Sequence, residues 1–223
     1  MAAVRPTVRS TGHPSGRPSV RPTWRTERAL WNDGRARVAG VDEVGRGPLA
    51  GPVVAGAVVL RYGRASWLSR LRDSKVLTAK AREELAAEVR DRCDWGIGAV
   101  SQQVIDQLGI APATRLAMRR AVLALGAPPD ALIVDGRERI DCSMEQRAQV
   151  RADAMCKSVA AASIVAKVAR DAIMERLAER FPGYGMERNK GYASAEHLDA
   201  LARLGYSTAH RLSFEPVRAA IAR

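Results

Sequence analysis

Two short apolar runs joined by a glycine-rich turn stand out near the start of the chain. The first, Val38 to Val41, ends on the adjacent acids Asp42 and Glu43, and the second runs from Val53 to Leu60. The turn sequence GRGP, residues 45–48, lies between them. Because both runs are short, rich in valine and bounded by glycine and proline, the pattern predicts two strands connected through a turn.

Helical periodicity is clearest from Ser158 to Arg180. Apolar side chains recur there with helical spacing and form one stripe: Val159, Ala162, Ile164, Val165, Val168, Ile173, Met174 and Leu177. Thr78 to Cys93 and Pro112 to Leu125 also predict helices, the first of them capped by its threonine. After a break at Phe181, the segment from Ala193 to Leu204 predicts a further helix.

Further strands are predicted between these helices. Trp95, Ile97 and Ala99 alternate with smaller residues, as in a strand. Residues 131–134, ALIV, are typical of a buried strand and end on Asp135, while a less regular stretch with a short strand leads to Asp153. Two strands that end on acids at one edge of a sheet indicate a cation bound between those acids. For each acid taken alone, a solvated strand end is the simpler interpretation.

The N-terminal segment differs from the rest of the chain. Residues 1–37 contain eight arginines against Glu27 and Asp33, with prolines at regular intervals. We expect residues 1–36 to form a disordered basic arm, with a short helix near residues 26–33 leading into the first strand. A mitochondrial transit peptide is the second interpretation of this composition, but the proline spacing opposes an amphipathic helix.

Composition narrows the class of protein. The 223-residue chain has 47% hydrophobic residues, enough for a core, and a formal net charge of +12, which favours a polyanionic partner, nucleic acid ahead of an anionic membrane. No apolar run approaches the ~20 residues that span a bilayer, and a secretory signal is not evident. Three cysteines without CxxC spacing predict neither a disulfide framework nor a zinc site. We expect a cytoplasmic protein.

Four acids that follow apolar segments are the candidate chemical centre: Asp42, Glu43, Asp135 and Asp153. Carboxylates without neighbouring histidine or cysteine select hard cations such as Mg²⁺ or Mn²⁺. Two such ions ~3.5–4 Å apart can activate water and stabilise the leaving oxygen of a phosphodiester. His197 and His210 lack metal-ligand spacing and are expected to be structural or solvent-facing. Asp171, deep in a predicted helix, is left outside the site.

Two strings identify a family resemblance. AGVDEVGRGPLAGPVVAGAVVL, beginning at Ala39, and AAASIVAKVARD, beginning at Ala160, resemble the signatures of the bacterial ribonuclease HII family, and the similarity runs from Arg37 to Arg218. The resemblance implies an α/β, ribonuclease H-like fold, a mixed five-stranded sheet flanked by helices. It implies a catalytic domain at residues 37–180 and a helical, substrate-binding C-terminal segment at residues 181–223.

The resemblance also implies roles for particular residues. The four acids would hold two metal ions, Mg²⁺ or Mn²⁺, and the turn residues Gly45, Arg46 and Gly47 would read the ribose 2′-OH at an RNA–DNA junction. Ser74 and Lys75 would contact substrate phosphate, and Tyr192 would stack on the following deoxyribose. Lys190, in the same Lys-Gly-Tyr loop as that tyrosine, offers a cation to the sugar–phosphate backbone.

The implied activity is metal-dependent endonucleolytic cleavage of RNA in RNA/DNA hybrids, and on the 5′ side of ribonucleotides embedded in duplex DNA. The products would carry 5′-phosphate and 3′-hydroxyl ends. We expect a monomer without an obligate protein partner. A non-catalytic basic nucleic-acid-binding protein on a nuclease-like fold is the alternative. The chain departs from the family pattern at three positions: Val76, Ala152 and Asn189.

Overall fold

A mixed five-stranded sheet organises the computed structural model, which describes residues 21–221. In chain order the strands are β1 (Val38–Val44), β2 (Val53–Val59), β3 (Asp94–Val100), β4 (Ala131–Asp135) and β5 (Glu145–Gln149). Their order across the sheet is β3-β2-β1-β4-β5. The first three strands are antiparallel, whereas β4 and β5 run parallel to β1. The predicted fold class is confirmed.

Helices cover both faces of this sheet. They are α1 (Arg25–Asn32), α2 (Ser66–Arg70), α3 (Ala79–Arg92), α4 (Gln102–Leu108), α5 (Ile110–Leu123), α6 (Ala152–Met155), α7 (Lys157–Arg180), α8 (Met186–Asn189), α9 (Ala195–Leu204) and α10 (Glu215–Ile221). Helix α5 packs on one face, against alternate side chains of the central strands. Helix α7 packs on the other face, together with α3 and α1. The main helices predicted from periodicity are therefore present at nearly their predicted bounds.

Helix α7 lies unusually close to the sheet. A side chain at Gly40 of β1 would overlap the backbone of Ser158, and one at Gly56 of β2 would lie 2.5 Å from the carbonyl oxygen of Ala162. The alanines at positions 160–162 of the helix are fully buried at this contact. The small residues on both sides thus let the helix backbone contact the strands directly, which fixes the distance between α7 and the sheet.

The N-terminal prediction needs a correction. Residues 25–32 form helix α1, which packs on the domain through the buried Leu30. Its buried Glu27 accepts hydrogen bonds from the backbone N–H (2.9 Å) and the hydroxyl (2.8 Å) of Ser158 at the start of α7. A disordered arm extending to residue 36 is therefore wrong for this helix, although a short helix near residues 26–33 was expected. Residues 1–20 of the predicted arm lie outside the described residues.

The C-terminal segment is attached to the loop between β1 and β2. The backbone N–H of Leu49 donates to Gly191 at 2.7 Å, and that of Gly51 donates to Ala209 at 2.9 Å. The N–H of Arg211 returns a hydrogen bond to the carbonyl of Leu49 at 2.8 Å. The segment after α7 therefore supports the loop that carries the GRG turn. Within the described residues, the helices are too short or too polar to cross a membrane.

Candidate active site

The register of two parallel strands brings Asp42 and Asp135 together. Val41 of β1 pairs with Val134 of β4, so the acids that follow them lie side by side at the same end of the sheet. Both side chains lie on the face that α7 covers, since the residues two positions earlier, Gly40 and Ile133, face that helix or its cluster. The prediction that two strands end on acids at one edge is confirmed.

The other two acids approach the same edge from different elements. Glu43 is the next residue of β1, and its carboxylate lies 3.5 Å from the guanidinium of Arg46. Asp153 lies in the short helix α6, which follows a residue in left-handed conformation, Arg151 with φ of 60°. The N–H of Ala152 donates to the carboxylate of Asp135 at 2.6 Å, which ties α6 to the end of β4. Alanine at this departure from the family pattern therefore still serves the site through its backbone.

The electrostatics show that the four acids affect one another. Burial raises the pKa of Asp42 well above its ordinary value, and the nearby charges of Glu43, Asp135 and Asp153 raise it further. Burial likewise raises the pKa of Glu43 and of Asp153, and Asp135 contributes to both shifts. Carboxylates that share one site repel each other unless a cation compensates them. The cluster is therefore one electrostatic unit.

Local hydrogen bonds orient the carboxylates, which do not yet lie close enough together to coordinate a metal ion. Asp42 accepts from the N–H of Glu43 at 2.8 Å, and Asp153 accepts from the N–H of Ala154 at 2.8 Å. Among residues 21–221, no three His, Cys, Asp or Glu side chains are grouped closely enough to hold a metal ion as they stand. The donor chemistry nevertheless fits a hard cation, since all four side chains supply carboxylate oxygens.

Ser74 and Lys75 occupy different environments beside these acids. The hydroxyl of Ser74 is buried and lies 2.9 Å from the hydroxyl of Ser163 in α7, and Ser163 opposes the rise in the pKa of Asp42. The side chain of Ser74 is therefore directed to Ser163 in this structure, and its contact with a substrate phosphate stays a prediction. Lys75 is exposed; burial alone would lower its pKa, but Asp73 and three of the site acids outweigh that effect and raise it.

The GRG turn presents only part of itself to the surface. Gly45 is buried with φ of +92°, and a side chain there would overlap the guanidinium of Arg170. Arg46 and Gly47 are exposed, and a Cβ on Gly47 would lie 3.6 Å from the ring of Tyr192. The turn and that tyrosine, far apart in sequence, are thus neighbours. The approach of the turn backbone to a sugar stays a prediction, and the structure exposes positions 46 and 47 while burying Gly45.

The Lys-Gly-Tyr loop is shaped by its own hydrogen bonds. Tyr192 is 48% exposed, which leaves its ring available to a ligand. Lys190 adopts a left-handed conformation, and its ammonium group donates to Glu175 at 2.9 Å. Asn189, where the family pattern differs, accepts from the N–H of Gly191 at 2.8 Å and donates to the carbonyl of Tyr184 at 2.7 Å. Asparagine therefore fixes this loop without a histidine.

The sequence is similar to a known protein family over most of its length. Residues 39–217 match the family model described as Ribonuclease HII. The chain belongs to the ribonuclease HII family. It is 54% identical over 191 residues to the Ribonuclease HII of Rhodospirillum rubrum, covering 84% of this chain and 88% of that protein. It is 45% identical over 197 residues to the Ribonuclease HII of Dehalococcoides mccartyi, covering 87% and 93%.

A solved structure of a related ribonuclease supports the same assignment. The ribonuclease H2 of Pyrococcus horikoshii OT3 superimposes with a TM-score of 0.71 at 28% identity, over 82% of this chain and 96% of that one. Ribonucleases HII are metal-dependent endonucleases that act on the RNA of RNA/DNA hybrids. Since none of the four acids is lost, the alternative of a non-catalytic binding protein is set aside.

Several residues around the site of this ribonuclease HII were not identified from the sequence. Ser163 has no sequence signal beyond its small size, yet its hydroxyl contacts Ser74 and it influences the pKa of Asp42. Arg170 and Arg211 are fully buried and donate to backbone carbonyls around the GRG turn. An arginine on the buried face of α7 was the one available signal for the first of these. Nothing local in the tail sequence distinguishes the second.

The two histidines form a buried hydrogen-bond relay. Of the two expectations for them, structural or solvent-facing, the solvent-facing one is wrong. The N–H of Ser207 donates to Nδ1 of His210 at 3.0 Å, which places that ring's proton on Nε2. Nε2 of His210 lies 3.0 Å from Nε2 of His197, whose Nδ1 lies 2.9 Å from the carbonyl of Tyr192. With both rings neutral, every contact in the relay is a donor–acceptor pair.

We expect acid to weaken the fold through this relay. Burial, and to a smaller extent the neighbouring His197, lowers the pKa of His210 from 6.5 to about 4 in the folded protein. The stability that neutral His210 contributes is therefore complete above pH 6.5, the pKa in the unfolded chain, and is lost as the pH falls toward the pKa in the folded protein. Between about pH 7.5 and pH 5.5 the loss should be about 1 kcal/mol. The acids with raised pKa act in the opposite direction. The measurement is the free energy of unfolding in urea of wild type and of His210→Gln at both pH values. If this free energy changes equally with pH in the two proteins, the relay is contradicted.

Proposed function

We propose that this ribonuclease HII cleaves the RNA strand of hybrids and also the 5′ side of a single ribonucleotide within duplex DNA. The observation that carries the proposal is the convergence of four acids from β1, β4 and α6 beside Tyr192 and the exposed residues Arg46 and Gly47 of the GRG turn. The acids provide a cation site and the turn provides contacts to a sugar. Cleavage and recognition of the ribose would then occur at one edge of the sheet.

Asp42, Glu43, Asp135 and Asp153 would hold two divalent ions, Mg²⁺ or Mn²⁺. When bound, such ions activate the attacking water and stabilise the leaving oxygen of an in-line displacement. Burial raises the pKa of Asp42 most, and repulsion from the other three acids raises it further. A cation between the carboxylates would relieve that repulsion, which supports this assignment. Ser74 and Ser163 would keep the Asp42 carboxylate in place during the reaction.

Substrate recognition would use the exposed groups around the acids. The backbone N–H groups of Arg46 and Gly47 would bind the ribose 2′-OH, the group that distinguishes RNA from DNA at one nucleotide. Tyr192 would cover the next sugar, and Lys75 would contact a phosphate. Lys190 would contribute once it exchanges its ion pair with Glu175 for a phosphate. Gly45 contributes by letting the turn pack on Arg170.

The test is cleavage of an end-labelled DNA duplex that bears one ribonucleotide, beside a full RNA/DNA hybrid. We expect cuts with Mg²⁺ or Mn²⁺ on the 5′ side of the ribonucleotide, leaving 5′-phosphate and 3′-hydroxyl ends, and none with chelator. Cleavage of the hybrid but not of the single-ribonucleotide duplex would contradict the finer part of the proposal. Cleavage of neither would contradict all of it.

Replacing Tyr192 with alanine should reduce activity more on the single-ribonucleotide duplex than on the continuous hybrid. The tyrosine ring favours a following sugar without 2′-OH, and in the hybrid every sugar of the cut strand carries one. Removing a stacking contact worth ~1–3 kcal/mol should lower kcat/KM about tenfold on the first substrate. Tyr206→Ala, which removes another exposed tyrosine, is the matched control. An unchanged ratio of the two kcat/KM values in Tyr192→Ala would exclude junction recognition by this loop.

Deleting residues 1–20 should weaken substrate binding most at low salt and flatten its salt dependence. Arginine contacts to phosphate release counterions whatever the base sequence, so the arm is proposed to add affinity without specificity. The deletion stops there because Thr23 donates its backbone N–H to Met155 at 2.9 Å. The measurement is the binding constant over a range of salt concentrations, with mapped cleavage sites. A shifted cleavage position would contradict an accessory role.

We also propose that the protein acts as a monomer in the cytoplasm, without an obligate protein partner. The three cysteines are free, and burial raises the pKa of Cys93 and of Cys156 to about 11, so these two thiols are unreactive near neutral pH. That state suits a reducing compartment. Sedimentation of the purified protein with and without duplex tests the oligomeric state.

A further inference from the structure

Two arginines are buried beneath the GRG turn without a carboxylate partner. Arg170 of α7 and Arg211 of the C-terminal segment are both fully buried. Among residues 21–221 neither forms a salt bridge, and both guanidinium groups donate to backbone carbonyl oxygens. Burying an arginine in this way is costly unless its donors are satisfied. The arrangement therefore calls for a reason other than ion pairing.

Arg211 holds the GRG turn itself. Its Nη2 donates to the carbonyl of Gly45 at 2.6 Å, its Nη1 to that of Arg46 at 2.9 Å, and its Nε to that of Gly51 at 3.0 Å. The planar guanidinium group thus donates hydrogen bonds to two consecutive peptide groups of the turn. Lysine, with a single ammonium group, lacks this geometry.

The direction of those carbonyls sets the direction of the adjacent N–H groups. In a planar trans peptide the C=O and the following N–H point to opposite sides. When the carbonyls of Gly45 and Arg46 point inward to Arg211, the N–H groups of Arg46 and Gly47 point outward. Within the described part of the chain neither N–H donates a hydrogen bond to the protein. Two free donors are thus presented on the exposed side of the turn.

The position of Arg211 is fixed from several sides. Its own N–H donates to Leu49 at 2.8 Å, and its guanidinium lies 5.0 Å from the centre of the Phe214 ring. The next two backbone N–H groups, of Leu212 and Ser213, each donate to Asp106 of α4 at 2.9 Å. Asp106 therefore anchors the backbone of this segment, and the guanidinium of Arg211 donates to the turn.

We propose that Arg211 is a positioning residue for ribose recognition, which orients the N–H groups of Arg46 and Gly47 toward the 2′-OH. The inference rests on the proposed function of the turn and adds the residue that sets its donors. Arg170 differs, since it donates to Ala50, Pro52 and Lys190 and not to the turn carbonyls. Arg211 would thus affect the choice between RNA and DNA, not only the stability of the fold.

The experiment compares binding of two matched DNA duplexes, one of which carries a single ribonucleotide, at low salt and with chelator present. Wild type should prefer the ribonucleotide duplex. In Arg211→Lys that preference should fall about fivefold, because a misdirected hydrogen bond is worth a factor of roughly 2 to 10. Affinity for the all-DNA duplex should change less than about twofold, since it depends on phosphate contacts.

Leu85→Ala is the control for loss of stability, because Leu85 is fully buried in α3 and belongs to a different cluster. It should lower the Tm and keep the preference. An unchanged preference in Arg211→Lys, or an equal fall in Leu85→Ala, overturns the inference. If Arg211→Lys does not fold, Phe214→Leu, which frees the guanidinium from its ring, should show a smaller fall, and no fall there overturns the inference. Absence of any preference in wild type instead contradicts the proposed function of the turn.

Discussion

Replacing Asp135 with asparagine should lower the rate of cleavage at least ~100-fold while the protein folds normally. A neutral amide is a poor substitute for a carboxylate in binding a hard cation. The fold should tolerate the change, because the amide oxygen can still accept the hydrogen bond from the N–H of Ala152. Removing one negative charge from a group of mutually repelling acids should leave the Tm unchanged or slightly raised.

Asp141→Asn is the matched control for this variant. The carboxylate of Asp141 is 93% exposed and lies 3.6 Å from Arg119, so the same chemical change there should leave turnover intact. The comparison requires kcat with Mg²⁺ and with Mn²⁺ for both variants, together with their Tm values. Near-native turnover of Asp135→Asn with either metal would exclude this acid from the metal site.

Replacing Gly45 with valine should destabilise the whole domain. The residue has φ of +92°, which β-branched side chains rarely adopt, and its Cβ would overlap the buried guanidinium of Arg170. Backbone strain and overpacking together should cost roughly 3 kcal/mol or more. Activity on both substrates should be lost with the native turn. The reason is internal packing rather than obstruction of the substrate.

Gly47→Ala provides the contrast within the same turn. A Cβ at Gly47 would make only an ordinary contact, 3.6 Å from the ring of Tyr192. Its free energy of unfolding should therefore stay close to that of wild type, measured by urea denaturation. A wild-type unfolding curve for Gly45→Val, or an equal loss of stability in both variants, would show that the turn does not rest on Arg170.

Features that depend on local pattern could be predicted from the sequence. The valine-rich runs identified β1 and β2, and the acids at the ends of β1 and β4 indicated the edge of the sheet at which we propose the active site. The parallel register of β1 and β4 then follows from the fold class, and it places Asp42 beside Asp135. The apolar and small residues after Ser158 likewise predicted α7 nearly to its bounds, although residues 158–166 are buried on every side and not along one stripe.

Contacts between distant segments could not be predicted in the same way. Whether the Ser74 hydroxyl faces a phosphate or Ser163 depends on how the loop before α3 meets α7, 89 residues away. The hydrogen bond from Arg211 to the carbonyl of Gly45 joins residues 166 positions apart, and the sequence around neither residue shows a periodic pattern that predicts it. Glycine in a turn suggested access for a ligand, but at Gly45 it provides room for a buried arginine.

Anomalous diffraction from crystals grown with Mn²⁺ and a duplex carrying one uncleavable ribonucleotide linkage tests the central claim most directly. We expect two anomalous peaks ~3.5–4 Å apart between the scissile phosphate and the carboxylates of Asp42, Glu43, Asp135 and Asp153. The ribose 2′-OH should lie within hydrogen-bonding distance of the N–H groups of Arg46 and Gly47. Peaks bound to other acids, or a scissile phosphate remote from these four, would contradict it.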